Sequence, residues 1–187
     1  MKSYSCYFVR TAELEKARTL FAKVEVLPDS DWLMCGFRAD DSPPEDEVLC
    51  GEESLTEAKS KQLGEVIFVY GDTSIDGFAY EHSRNGQLLR KLVWFALLDD
   101  DWTSGWVCVT GETEDWEATL FNANNLAQCL EYARQKLEDE GREEEFTELE
   151  AEIQQTWQLK QIVAGKTYPY CDGTVALLVE RSYGIKR

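Results

Sequence analysis

Apolar and polar residues alternate in "SYSCYFV", so residues 4–9 predict a strand. Thr11 then stands where a helix cap belongs, and Leu14, Ala17, Phe21 and Val24 recur at near-helical spacing. The chain opens β, then α. The apolar run "DWLMCGF" over 31–37 suits another strand, and "RADDSPPEDE" stops it with two prolines and five acids, the composition of a solvated loop. In "SLTEAKSKQLG", Ser54 and Glu57 have capping-box spacing and Gly64 occupies the position of a left-handed C-terminal residue. A short helix over about 55–63 follows.

From Glu65 the apolar period changes to two. "EVIFVY", "IDGFAYEH", "LLRKLVWFALL" and "GWVCVT" are separated by the turn compositions "GDTS", "SRNG" and "DDDWTS", and four sequential strands with short connections make an antiparallel meander. Beyond Gly111 the pattern turns helical: "TEDWEATLF" reads as a short helix capped by Thr113 with acids in its first turn. Leu126, Leu130, Ala133 and Leu137 mark a helix ending near Gly141, and Phe146, Leu149, Ile153 and Trp157 mark the next. Joined by "EDEGREEE", these two predict a helical hairpin whose apolar faces need the sheet as partner. The last element, over about 174–183, suits a helix capped by Asp172 and stopped by Gly184, with its β-branched residues keeping a strand open. The fold class expected is α+β: a single domain over 1–187, with a central antiparallel sheet of four or more strands and helices mainly on one face.

Asn85-Gly86 between two alternating runs signals a tight hairpin, because both residues accept positive φ. A two-residue loop opposes Glu81 to Arg90 and Tyr80 to Lys91; a bulged three-residue loop opposes Glu81 to Leu89. In either case Asp76, Phe78, Tyr80 and His82 share one face of the strand, and Ile75, Gly77, Ala79 and Glu81 share the other.

Composition narrows the function classes. With 187 residues, 43% of them hydrophobic, and six tryptophans, the chain has enough apolar mass for a core. The net charge of −17 argues against direct binding of nucleic acid or anionic membranes and favours a basic protein as partner. The start "MKSYSCYFVRTAELEKA" has no apolar signal-peptide core, and the longest apolar run, "VWFALL", is far short of the ~20 residues of a membrane helix, so a cytoplasmic setting is expected. Cys6, Cys35, Cys50, Cys108, Cys129 and Cys171 contain no CxxC pair, and the expectation is reduced, buried, structural thiols with no zinc or redox site.

The densest chemistry lies in "YGDTSIDGFAYEHSRNG", which holds two aspartates, a glutamate and the chain's one histidine. His82 and Glu81 point to opposite faces, and Asp76 lies about 20 Å from His82 along an extended strand at ~3.3 Å per residue. No catalytic partner for His82 is visible in the sequence, and it is expected near the surface of the hairpin. No GxSxG, HExxH, GxxxxGK[ST] or GxGxxG motif occurs. The expectation is therefore no catalytic residue, no cofactor and no metal site.

Asp72 and Asp76 read first as turn formers, and second as carboxylates for acid–base work or a hard cation. The aspartates of "LLDDDW" read as a hairpin tip that resists edge aggregation. Trp102, Trp106, Trp116 and Trp157 read as core, while Trp116-Glu117 and Tyr168-Pro169-Tyr170 are the segments to inspect for an aromatic patch beside acids.

The leading expectation is a noncatalytic interaction protein, of the immunity or inhibitor kind, whose acidic surface meets a basic partner. Its candidate surface comprises Asp72, Asp76, His82, Trp116, Glu117, Tyr168, Tyr170, Glu143, Glu144 and Glu145. The alternatives are a carboxylate enzyme or small-ligand site in which some of Asp72, Asp76, Glu81, Glu117 and Asp172 converge on a pocket, and a DNA mimic built on the acidic stretch from Glu138 to Glu150.

Overall fold

The segment Glu65–Asp72, "EVIFVYGD", is buried at every position, which a strand achieves only when both faces of its sheet are covered. It is the central strand, β4, of a seven-stranded antiparallel sheet in a computed structural model that describes residues 3–11, 13–37, 42–96 and 104–186. The other strands are β1 (Ser3–Arg10), β2 (Val24–Val26), β3 (Leu33–Cys35), β5 (Gly77–Arg84), β6 (Gln87–Ala96) and β7 (Ser104–Gly111). Their order is β2-β3-β1-β4-β5-β6-β7. The expected meander forms one half of the sheet, and β1 pairs with β4 to attach the other half.

Strand alternation sorts the core into two layers. Cys6, Phe8, Ile67, Val69, Phe78, Tyr80, Leu92 and Trp94 face one side, against the 3₁₀ segment Asp115–Phe121, the helical hairpin α4 (Ala123–Glu140) and α5 (Phe146–Leu159), and α6 (Val175–Ser182). Tyr7, Val9, Val66, Phe68 and Val93 face the other side, against three short helices: α1 (Leu14–Leu20), α2 (Glu45–Cys50) and α3 (Glu57–Leu63). The long helices thus share one face, as the apolar spacing of 126–157 implies, and the short ones close the second.

Several local expectations are corrected. Val24 does not extend α1; it opens β2, opposite Cys35 of β3, where β-branched Val24 and Val26 fit a pleated edge better than a helix. The prolines and acids of 43–47 start α2 rather than ending in a loop, with Pro44 at the cap, acids in the first turn, and Val48 and Leu49 buried. The helix expected from Thr113 is a 3₁₀ segment capped at Glu114. Ser54 Oγ accepts the Glu57 N–H at 3.0 Å, but the Glu57 carboxylate takes the Leu88 N–H at 3.3 Å instead of reaching back to close a capping box. The final element is a helix: Asp172 Oδ1 accepts the Thr174 N–H at 2.7 Å, and Gly184 follows with φ 68.

The hairpin follows neither proposed register along its whole length. Asn85 (φ 52) and Gly86 (φ 82) form the two-residue turn, and Arg84↔Gln87 and Ser83↔Leu88 pair as a tight loop requires. A bulge between His82 and Ser83 then absorbs one residue of β6, so that His82 opposes Arg90 and Glu81 opposes Lys91. Because a one-residue slip exchanges faces, the bulge puts a cation beside each buried polar group. Lys91 Nζ lies 3.7 Å from Glu81 Oε2 under the α2–α3 connection and donates to the Gly51 and Glu53 carbonyls at 3.0 and 3.1 Å. A double-mutant cycle on Glu81→Ala and Lys91→Ala is expected to show coupling of about 1 kcal/mol or more, and the same cycle on Glu81 and Arg90 close to zero. Coupling at the second pair alone would contradict this register.

Candidate functional site

At one pole of the sheet the β4–β5 turn meets the loop leading into α6. The two backbones touch: a Cβ at Gly71 would stand 2.5 Å from the Gly173 carbonyl oxygen, so only glycine permits this approach. Each segment closes on itself through an aspartate. Asp72 Oδ1 accepts the Ser74 N–H at 2.7 Å, and Asp172 Oδ1 accepts the Thr174 N–H at 2.7 Å. Asp76 (φ 49) ends the first turn and accepts the Tyr170 hydroxyl at 2.9 Å on Oδ2. Tyr170 packs edge-on against buried Trp94, with centroids 5.3 Å apart, and against Tyr132 of α4 at 5.0 Å. Burial first, then the Asp76 carboxylate, raises the pKa of both the Tyr170 and Tyr132 phenols above the ordinary 10.

The second assembly surrounds His82, and here the expectation is overturned. His82 is only 3% exposed. Its Nδ1 lies 2.6 Å from Glu114 Oε1 and its Nε2 3.1 Å from Glu65 Oε1, so the ring is held between two carboxylates. Glu114 Oε2 accepts the Tyr183 hydroxyl at 2.7 Å, the Trp116 indole N–H at 3.2 Å and the Tyr80 hydroxyl. Glu65 also accepts from Arg84 at 2.6 Å. Burial alone would raise the pKa of both carboxyls, but these donors outweigh it and leave Glu65 and Glu114 below their ordinary value. Burial and then the Glu114 charge push the Tyr80 and Tyr183 phenols up, so both remain neutral donors. Both ring nitrogens lie against carboxylate oxygens, and neither is open to a substrate. The cluster ties β4, β5, the 3₁₀ segment and the end of α6 together.

The remaining candidates divide by burial. Glu117 is 0% exposed and takes Arg90 in a bidentate pair, Nε at 2.9 Å and Nη2 at 2.6 Å. Glu81 lies on the opposite sheet face, where Thr56 N–H and Oγ1 donate to it at 2.9 and 2.7 Å and Ser54 Oγ also donates. As surface residues, His82, Trp116, Glu117, Asp72 and Tyr168 are therefore corrected: all are buried, because both sheet faces are covered. Asp76 and Tyr170 stay partly exposed, and Glu143, Glu144 and Glu145 are exposed in a 3₁₀ turn between α4 and α5. Trp106 and Trp157 are core. Trp102 and the aspartates of "LLDDDW" lie outside the described residues. The six cysteines are free, with Cys50 exposed and Cys108 half-buried rather than packed inside.

Asp72, Asp76 and Asp172 gather at the pole, whereas Glu81 and Glu117 are sequestered in ion pairs. None of the five lines the cleft of about 460 Å³ beside Arg10, Asp31 and Trp32. A cleft of about 320 Å³ opens at the helical hairpin between Leu137, Leu149, Arg142 and Glu145, Glu148 and Glu152. Among the described residues, no group of three His, Cys, Asp or Glu side chains could hold a metal ion, and no helix is long and apolar enough to cross a membrane. Sequence reasoning missed Glu65, Glu114 and Tyr183, which lie between 17 and 101 residues from His82 in the chain and reach it only through the fold, and Arg84, which joins the cluster through Glu65. A single local signal was present: "GETEDW" puts an acid two residues before a tryptophan at a helix start. The chain is matched by no protein-family model, by no curated protein and by no solved structure.

Proposed function

We propose that this chain is a noncatalytic binding protein that recognises a basic protein partner through its acidic surface, as inhibitors and immunity proteins do. The observation that carries the reading is the tip of the α4–α5 hairpin. From Glu138 to Glu148, Glu138, Asp139, Glu140, Glu143, Glu144, Glu145 and Glu148 are all exposed, and Arg142 is the one cation among them. Arg142 is clamped by Glu145 at 2.8 Å and Glu140 at 3.0 Å, which leaves the other carboxylates facing solvent. Such a field accelerates encounter with a positive surface and repels nucleic acid and anionic lipid. The self-satisfied His82 cluster supports a structural rather than catalytic use of the buried charge. The free thiols support a reducing, cytoplasmic setting.

Association with a partner captured from the native lysate is expected to slow steeply between about 50 and 500 mM salt, as the Debye length contracts from roughly 14 to 4 Å. Changing Glu143, Glu144 and Glu145 together to Gln should slow it several-fold at low salt while moving stability by less than about 1 kcal/mol. A partner that is itself acidic, or a rate indifferent to both salt and the triple change, would sink this reading.

A further inference from the structure

We propose that the pole formed by Tyr132, Tyr170 and Asp76 is the seat of an arginine side chain of the basic partner, an inference that rests on the acidic-recognition reading above. Tyr132 is 44% exposed, so an aromatic surface stands open to solvent beside the carboxylate that Tyr170 holds. The seat is built before any ligand arrives. Tyr170 is fixed from behind by Trp94 and at its hydroxyl by Asp76, and the Tyr132 ring lies 5.0 Å from it at 45°. No hydrogen bond among the described residues reaches Asp76 Oδ1, which leaves that oxygen available to an incoming donor.

Among the described residues the charge at this pole has no internal counterpart. Asp72, Asp76 and Asp172 enter none of the ion pairs among the described residues. The cations nearest Tyr132 along α4 are drawn away: Arg134 to Glu131 and the face of Phe146, and Lys136 to Glu140. An aromatic face beside an unpaired carboxylate complements a guanidinium, which stacks flat on the ring while its N–H groups reach the acid; an ammonium, as a point charge, gains less from the stacking.

The test titrates the full chain with hexaarginine and hexalysine peptides at low salt, following backbone amide shifts. Hexaarginine is expected to bind about three- to tenfold more tightly, with its largest shifts at residues 76, 132 and 170. Tyr132→Leu, on an exposed helix face, and Asp76→Asn should each bring hexaarginine down to the hexalysine level. The Glu143, Glu144 and Glu145 to Gln variant should weaken both peptides equally and keep the preference. Equal affinities, shifts confined to 138–150, or an unchanged preference in both pole variants would overturn the arginine seat and leave acidic recognition standing. Failure of both peptides to bind would overturn the two together.

Discussion

Replacing Glu117 by alanine is expected to cost the fold about 3 to 5 kcal/mol, because it leaves a guanidinium buried without its counter-charge. The Arg90 and Glu117 side chains are 4% and 1% exposed and meet through two parallel hydrogen bonds. After the change Arg90 keeps one bond, from Nη1 to the Gly111 carbonyl at 2.9 Å. The Glu114 N–H, which donates to Glu117 Oε1 at 2.9 Å, is orphaned as well. Arg90→Met combined with Glu117→Leu should recover most of the loss, since the expense lies in the stranded charge rather than in the pair. Urea unfolding of the single and double variants measures both quantities. A single variant that loses less than about 1 kcal/mol would show that water reaches the pair and that the packing described here is wrong.

His82→Ala should be the next most damaging change, at about 3 kcal/mol, from the ring's cavity and from two carboxylates that each lose a partner. Its signature is in the acid limb of the stability curve. Glu65 and Glu114 sit below the ordinary 4.5 in the folded chain, so the unfolded chain takes up protons first as the pH falls. Their contribution is complete above about 4.5 and disappears as the pH drops through the lower folded values. Without His82 both carboxyls rise, Glu114 the more because Glu65 keeps its stronger partner Arg84, so the variant should start less stable at neutral pH and lose less on acidification than the parent. A parallel acid limb in the two proteins would mean that the imidazole does not hold these carboxylates down.

The comparison of His82 with its strand neighbours shows where sequence reasoning stops. Alternation assigns Phe78, Tyr80 and His82 to one face and Ala79 and Glu81 to the other, and the structure agrees, because the period of two is a property of the strand itself. Which groups stand across from those faces is a property of register, and the bulge after His82 is one residue that no local pattern announces. The bulge opposes Arg90 to His82 and Lys91 to Glu81, which matches buried charge on both faces at once.

By itself the sequence determined the meander, its Asn-Gly turn, the α4–α5 hairpin and the acidity of the hairpin's tip, since each follows from periodicity, turn chemistry or charge within a few consecutive residues. The tertiary structure alone decided that β1 pairs with β4, that Val24 belongs to an edge strand, and that three short helices cover the second sheet face. It alone brought Glu114 and Tyr183 to His82 and Tyr132 to Tyr170. Those contacts join residues tens of positions apart, and their energy comes from burial and desolvation, which exist only once the whole core has closed.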